Sequence, residues 1–168
     1  MGPQGAYGGC WCMWWRLTRK VFEQQQGEGN RRAMQAIVDA GQVPGILGYK
    51  EGRAVAWCSV APREEFASLN RSPVLKRIDD QPVWSLVCFF VARELRHAGR
   101  MHALITLAVD HVRRQGGVIV EAYPSVLKSR KAPPTSSFMG TPEAFRQAGF
   151  TECAAPSSAK RIMRYTIQ

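Results

Sequence analysis

Two short stretches of this chain hold residue types that could do chemistry. In the segment VIVEAY, Val118 to Tyr123, a carboxylate stands among apolar, β-prone neighbours, and a carboxylate in such company needs a reason. Burial raises a carboxyl group's affinity for protons. Glu121 could therefore take a proton from a nucleophile, directly or through water; it could equally pair with an arginine or face solvent from a sheet edge. Tyr123 lies two residues on and shares its strand face. The second stretch is the basic turn Arg96-His97-Ala98-Gly99-Arg100-Met101-His102. A glycine turn that opens a helix presents unpaired N–H groups at the positive end of the helix dipole. Arg96, His97 and Arg100 add donors or charge there. Each favourable charge at a helix end contributes about 0.3–1 kcal/mol, so several must act together, and a diphosphate is the natural guest. Neither G-x-G-x-x-G nor G-x-x-x-x-G-K-[ST] occurs, so Rossmann and P-loop readings have no support.

The elements that must hold these residues are written in the hydrophobic pattern. Val83 to Val91 (VWSLVCFFV) follows Pro82 and is apolar and β-prone throughout, which predicts a buried strand. Strict alternation would place Trp84, Leu86, Cys88 and Phe90 on one face and Ser85, Val87, Phe89 and Val91 on the other. Met101, Leu104, Ile105, Ala108, Val109 and Val112 recur at helical spacing, and Gly116-Gly117 closes that helix before the second strand, VIVEAY. Asn30 is a fair N-cap for an earlier helix with Met34, Ile37 and Val38 on one face and Gly41 at its end. Gly45–Tyr49 and Arg53–Val60 read as a hairpin across Lys50-Glu51-Gly52. Residues 63–82 are polar and broken by prolines, a surface excursion whose Asp79 and Asp80 could attract a cation. The loop 125–140 carries Lys128, Arg130 and Lys131, which could meet a phosphate or lie in solvent. Thr141-Pro142-Glu143 is a strong helix start and Gly149 its stop. Residues 150–155 and 161–167 form a closing hairpin. The tryptophan-rich run Cys10 to Trp15 buries much area if it docks on the core.

Composition bounds the class. The 168 residues suit one domain, 1–168, with the glycine-rich residues 1–9 expected to be mobile. The net charge of +10 makes nucleic acid a rival partner. No aromatic-interleaved RNA-binding signature or zinc-finger spacing accompanies it, so the charge reads as solubility plus attraction for a polyanionic cofactor. Five cysteines, an odd number without C-x-x-C, fit free thiols in a reducing cytoplasm and no metal site. No apolar run approaches a membrane span and no signal-peptide core is present, so a cytoplasmic protein without a membrane partner is expected.

Arg96 to Met101 resembles the R/Q-x-x-G-x-G/A signature of the GCN5-related N-acetyltransferase (GNAT) superfamily, with Met101 where Gly or Ala is usual. Its setting between an apolar strand and an amphipathic helix, followed by VIVEAYP and later by TPEAFRQAGF, extends the resemblance over roughly residues 30–167. The opening CWCMWW also resembles a bacterial subgroup of that superfamily. The resemblance implies a single α/β domain, a mixed and mostly antiparallel sheet flanked by helices, with an abbreviated start. It implies acetyl-CoA as cosubstrate, no metal, and transfer to a primary amine by direct attack in a ternary complex. Arg96, His97, Ala98, Gly99, Arg100, Met101 and His102 would hold the pyrophosphate. Main-chain atoms of Phe89, Phe90 and Val91 would pair with the pantetheine amides, as in strand addition. Glu121 would be the base, and Tyr123 or water the acid, because Phe145 stands where the family commonly has a tyrosine. The competing class is a non-catalytic module that binds acyl-CoA or nucleic acid; a homodimer would suit the tryptophan-rich start.

Overall fold

The computed structural model describes residues 5–95, 100–127 and 137–168, and of Arg100 the backbone alone. In chain order the elements are α1 (Arg19–Gln24), α2 (Glu28–Asp39), β1 (Gly45–Lys50), β2 (Arg53–Pro62), a 3-10 turn (Arg63–Glu65), α3 (Ala67–Asn70), β3 (Trp84–Val91), a second 3-10 turn (Arg93–Leu95), α4 (Arg100–Arg114), β4 (Ile119–Ala122), α5 (Pro142–Gln147), β5 (Thr151–Ser157) and β6 (Lys160–Thr166). The six strands form one sheet in the order β1-β2-β3-β4-β6-β5. Only β3 and β4 run parallel. Parallel neighbours require a crossover, and α4 supplies it. The expected strand, helix, strand unit at the centre of the chain is thus the observed one, in the expected α/β architecture.

Each face of the sheet carries its own core. On the α4 and α5 face, Leu104, Ile105, Ala108 and Val112 meet Leu86, Phe89, Val120 and Phe145. On the other face, Phe66, Leu69, Leu75, Val87, Tyr123, Met139 and Ile162 cluster with Trp15 packed against them. The predicted alternation along β3 breaks once. Ser59 pairs with Cys88 but Val60 pairs with Leu86, so Val87 is an extra residue. A bulge of this kind reverses the pleat for everything beyond it. Leu86 and Phe89 therefore share the α4 face, and Cys88 joins Val87 on the opposite face.

Two other expectations are corrected. α2 starts at Glu28 after Gly27, whose φ of 87° suits only glycine at low cost, so Asn30 is not its cap. Asn30 is instead buried inside the helix, where its amide donates to the carbonyls of Gly9 at 3.1 Å and Phe22 at 3.5 Å. Residues 63–82 are no mere surface excursion: Arg63, Phe66, Leu69 and Leu75 are all buried. Phe66 and Leu69, three apart around so short a helix, hid among polar neighbours, and only the tertiary contacts reveal them. Residues 5–9 form turns beside the start of α2, with the Gly27 N–H donating to the Gly9 carbonyl at 3.0 Å. The run Cys10 to Trp15 forms turns rather than a strand and docks as expected, with Cys12 and Met13 buried.

Candidate active site

The opening between β3 and β4 is set by how little they pair. Trp84, Ser85 and Leu86 face Val120, Glu121 and Ala122, and there the ladder ends. β4 stops at Ala122 while β3 continues through its bulge to Val91. Beyond Leu86 the inner edge of β3 is therefore not paired to β4. Its Phe89 N–H donates instead to the carbonyl of Phe138 at 2.7 Å. Met139 follows, buried, and its Sδ lies 3.1 Å from Lys160 Nζ. Phe89, Phe138, Met139, Ser125 and Lys160 thus stand around one end of the splay.

Lys160 has no carboxylate partner among the described residues. Its ammonium donates to Ser125 Oγ at 2.9 Å, to the Met139 sulfur and, weakly, to the Tyr123 carbonyl at 3.5 Å. Burial lowers its pKa from the ordinary 10.5 to about 8. Between these values the unfolded chain holds a proton that the folded chain has released. The unfolded state then binds more protons, so stability rises with pH across that window. We expect Lys160→Met to be more stable than wild type in urea at pH 7, with the advantage shrinking as pH climbs from about 8 towards 10.5. A constant difference across those pH values would refute the desolvation.

Beneath the splay lies a closed ionic chain. Arg63 Nη1 donates to Glu121 Oε1 at 2.9 Å and to the Tyr123 hydroxyl at 2.8 Å, while Nη2 donates to the Leu75 carbonyl at 2.6 Å. Tyr123 in turn donates to Glu121 Oε1 at 2.7 Å and lies 2.7 Å from Ser85 Oγ. Glu121 Oε2 accepts from Arg164 Nε at 2.7 Å, and Arg164 closes on both oxygens of Asp79. Two arginines and two carboxylates balance. Arg63 and Glu121 are each 1% exposed, and Tyr123 is fully buried. Burial, then the Glu121 charge, pushes the Tyr123 hydroxyl pKa up. Hydrogen bonding to Arg164 holds the Asp79 carboxyl below its usual value.

The sequence-predicted residues separate accordingly. Arg96, His97, Ala98 and Gly99 lie outside the described residues, as do Lys128, Arg130 and Lys131. Arg100 opens α4, Met101 packs against the α4-face core, and exposed His102 places Nε2 3.2 Å from the Gln147 carbonyl. Phe89 is buried, and Phe90 and Val91 are half-buried. Glu121 and Tyr123 are together, but both Glu121 oxygens are held by arginines, the pairing the sequence left open. Asp79 is likewise engaged by Arg164 rather than offered to a cation. Phe145 is buried between Phe89 and Phe150 at centroid distances of 6.0 and 5.0 Å. A shallow groove of about 250 Å³ beside α4 is lined by Tyr49, Val55, Val91, Leu95, Leu104 and Leu107, away from Glu121. Sequence reasoning missed Arg63, Arg164 and Lys160; nothing in their local spacing sets them apart from the other cations.

The sheet is mixed, and its short parallel pair, β3 and β4, is joined through α4. The sequence profile of the acetyltransferase (GNAT) family matches residues 11–132, and the chain belongs to that family. Solved structures share the fold. A GNAT-family acetyltransferase from Desulfovibrio desulfuricans is 19% identical with a TM-score of 0.53, covering 89% of this chain and 83% of that one. The ribosomal-protein-alanine N-acetyltransferase of Brucella melitensis is 17% identical with a TM-score of 0.51, covering 91% and 83%. The PaiA N-acetyltransferase of Thermoplasma acidophilum, solved with coenzyme A, is 12% identical with a TM-score of 0.53, covering 96% and 89%. No curated protein matches. Among the described residues no helix is long and apolar enough to cross a membrane.

Proposed function

We propose that the protein transfers the acetyl group of acetyl-CoA to a primary amine by direct attack in a ternary complex. The observation that carries this reading is the short β3–β4 ladder, whose splay leaves strand edge for an extended ligand to join. The pantetheine arm lies along Phe89 to Val91, and the pyrophosphate meets Arg96 to Gly99, the residues that precede α4 in the sequence. The Phe138 carbonyl now accepts from Phe89, so binding there exchanges one carbonyl acceptor for another, at little net cost in hydrogen bonds. A fixed N–H aimed at the thioester oxygen contributes in other enzymes about 2.7–4 kcal/mol to the transition state.

The amine must lose a proton to attack. Glu121 is poorly placed as a base, because Arg63 already donates to its Oε1 and Arg164 to its Oε2. We assign Glu121 and Tyr123 to holding the splay open and rigid. Lys160, with its pKa near 8 and its place at the open end, is the better candidate to take the proton. Sulfur leaves as a thiolate, which needs no tyrosine at position 145.

Calorimetric titration with acetyl-CoA tests the cofactor site. Saturable binding is expected, weakened at least tenfold by Arg96→Ala, since a charge-assisted phosphate contact contributes roughly 1.5–3 kcal/mol. An absence of binding at millimolar ligand sinks the acetyltransferase reading and favours a nucleic-acid module, whose binding would fall steeply with salt.

A further inference from the structure

Two thiols meet where the N-terminal segment lies on the sheet. Cys12 is buried, and its Sγ lies 3.6 Å from Cys88 Sγ, across 76 positions of chain. Two features bring the pair together. Trp11 and Cys12 take φ of 43° and 57°, two consecutive left-handed residues that turn the segment back onto the sheet. The Val87 bulge then turns Cys88 away from α4 and towards the face that Trp15 covers. Cys58 is fully buried, and Cys153 is exposed on the edge strand β5.

We propose that Cys12 and Cys88 are a disulfide-forming pair, a site of oxidative modification that ties the N-terminal segment to β3. Cys88 is half-buried and is the thiol that a hydroperoxide reaches first. Its sulfur attacks the peroxide oxygen and becomes a sulfenic acid, releasing water or an alcohol. Cys12 sulfur then attacks the Cys88 sulfur and expels water. Two thiols lose two electrons and two protons in all, and the peroxide O–O bond accepts them. Cys12 suits the second step better than the first. Its hydrogen bond from Cys10 favours the thiolate, but the Cys88 sulfur and burial together hold its pKa well above the ordinary value. A thiol of this kind oxidises slowly unless a partner sulfur is already activated beside it. The sulfurs need to approach only from 3.6 Å to the bonded distance of about 2.05 Å. The bond closes immediately before Phe89, so it clamps the strand proposed to receive the pantetheine arm.

The test uses the full chain carrying Cys153→Ser, which removes the exposed thiol that would couple molecules. The protein is treated with one equivalent of hydrogen peroxide, its remaining thiols are blocked, and it is digested with trypsin without reductant. Mass spectrometry is expected to show the peptide ending at Arg16 joined to the peptide Ile78 to Arg93, lighter than their sum by two hydrogens and separated by dithiothreitol. The link is expected to survive Cys10→Ser and to vanish in Cys12→Ser. Failure to find that peptide pair in the Cys153→Ser protein overturns the proposal without depending on any further variant. Persistence of the link in Cys12→Ser also overturns it, by making Cys10 the partner.

Discussion

Arg63→Ala is expected to lower the free energy of unfolding by about 3–5 kcal/mol, the usual cost of breaking a buried ion pair from one side. The reason lies in what remains. Glu121 would keep Arg164 on Oε2, but Oε1, the Tyr123 hydroxyl and the Leu75 carbonyl would each lose a donor in a region closed to water. Urea denaturation at neutral pH measures the change. A loss below about 1 kcal/mol would mean that Arg164 alone satisfies the carboxylate, as surface pairs of that worth do. The double variant Arg63→Met, Glu121→Gln is expected to lose less than the sum of its single changes, because it removes both charges together. The same measurements bear on function. If Glu121 were the base, Glu121→Gln would abolish transfer in a protein that still binds acetyl-CoA. With the role assigned here, the substitution weakens the fold and lowers activity in proportion.

The second large effect falls at Phe145. Its ring is fully buried in the α4-face core, edge-on to both Phe89 and Phe150. Phe145→Ala is expected to cost about 3–5 kcal/mol, read as a shift of the urea midpoint. Phe145→Tyr is the sharper experiment. A Cβ on Gly140 would lie 2.7 Å from Phe145 Cε2 and 3.5 Å from both Cδ2 and Cζ, so one edge of the ring runs along that turn. A hydroxyl added to Cζ enters a fully buried, apolar site. Loss of about 1–3 kcal/mol is expected, the cost of an unsatisfied buried hydroxyl, with no gain in transfer rate. A faster, equally stable Tyr variant would show that position 145 does reach the leaving sulfur and that the site wants an acid there.

Cys10 to Trp15 was legible as a buried cap because three tryptophans in so short a run cannot be left in water cheaply. The Thr141 cap was legible in full: its side chain accepts from the Ala144 N–H, and Pro142 follows at the first helical position. The bulge at Val87 was not. A run in which every residue is apolar looks the same with or without one extra residue, and its sign appears only in the pairing with β2.

By itself the sequence determined the central strand, helix and strand, the hairpins and the family. These follow from periodicity, from turn chemistry and from a local motif, each written in neighbouring residues. Only the tertiary structure decided which groups Glu121 meets, where Lys160 stands and which sulfur lies beside Cys12. Glu121 takes its partners from 58 and 43 positions away, and Cys12 from 76. An isolated carboxylate in a strand reads alike whether it awaits a substrate or an arginine. Which one it meets depends on strand order and on a loop that folds back under the sheet, and chain-local patterns carry neither.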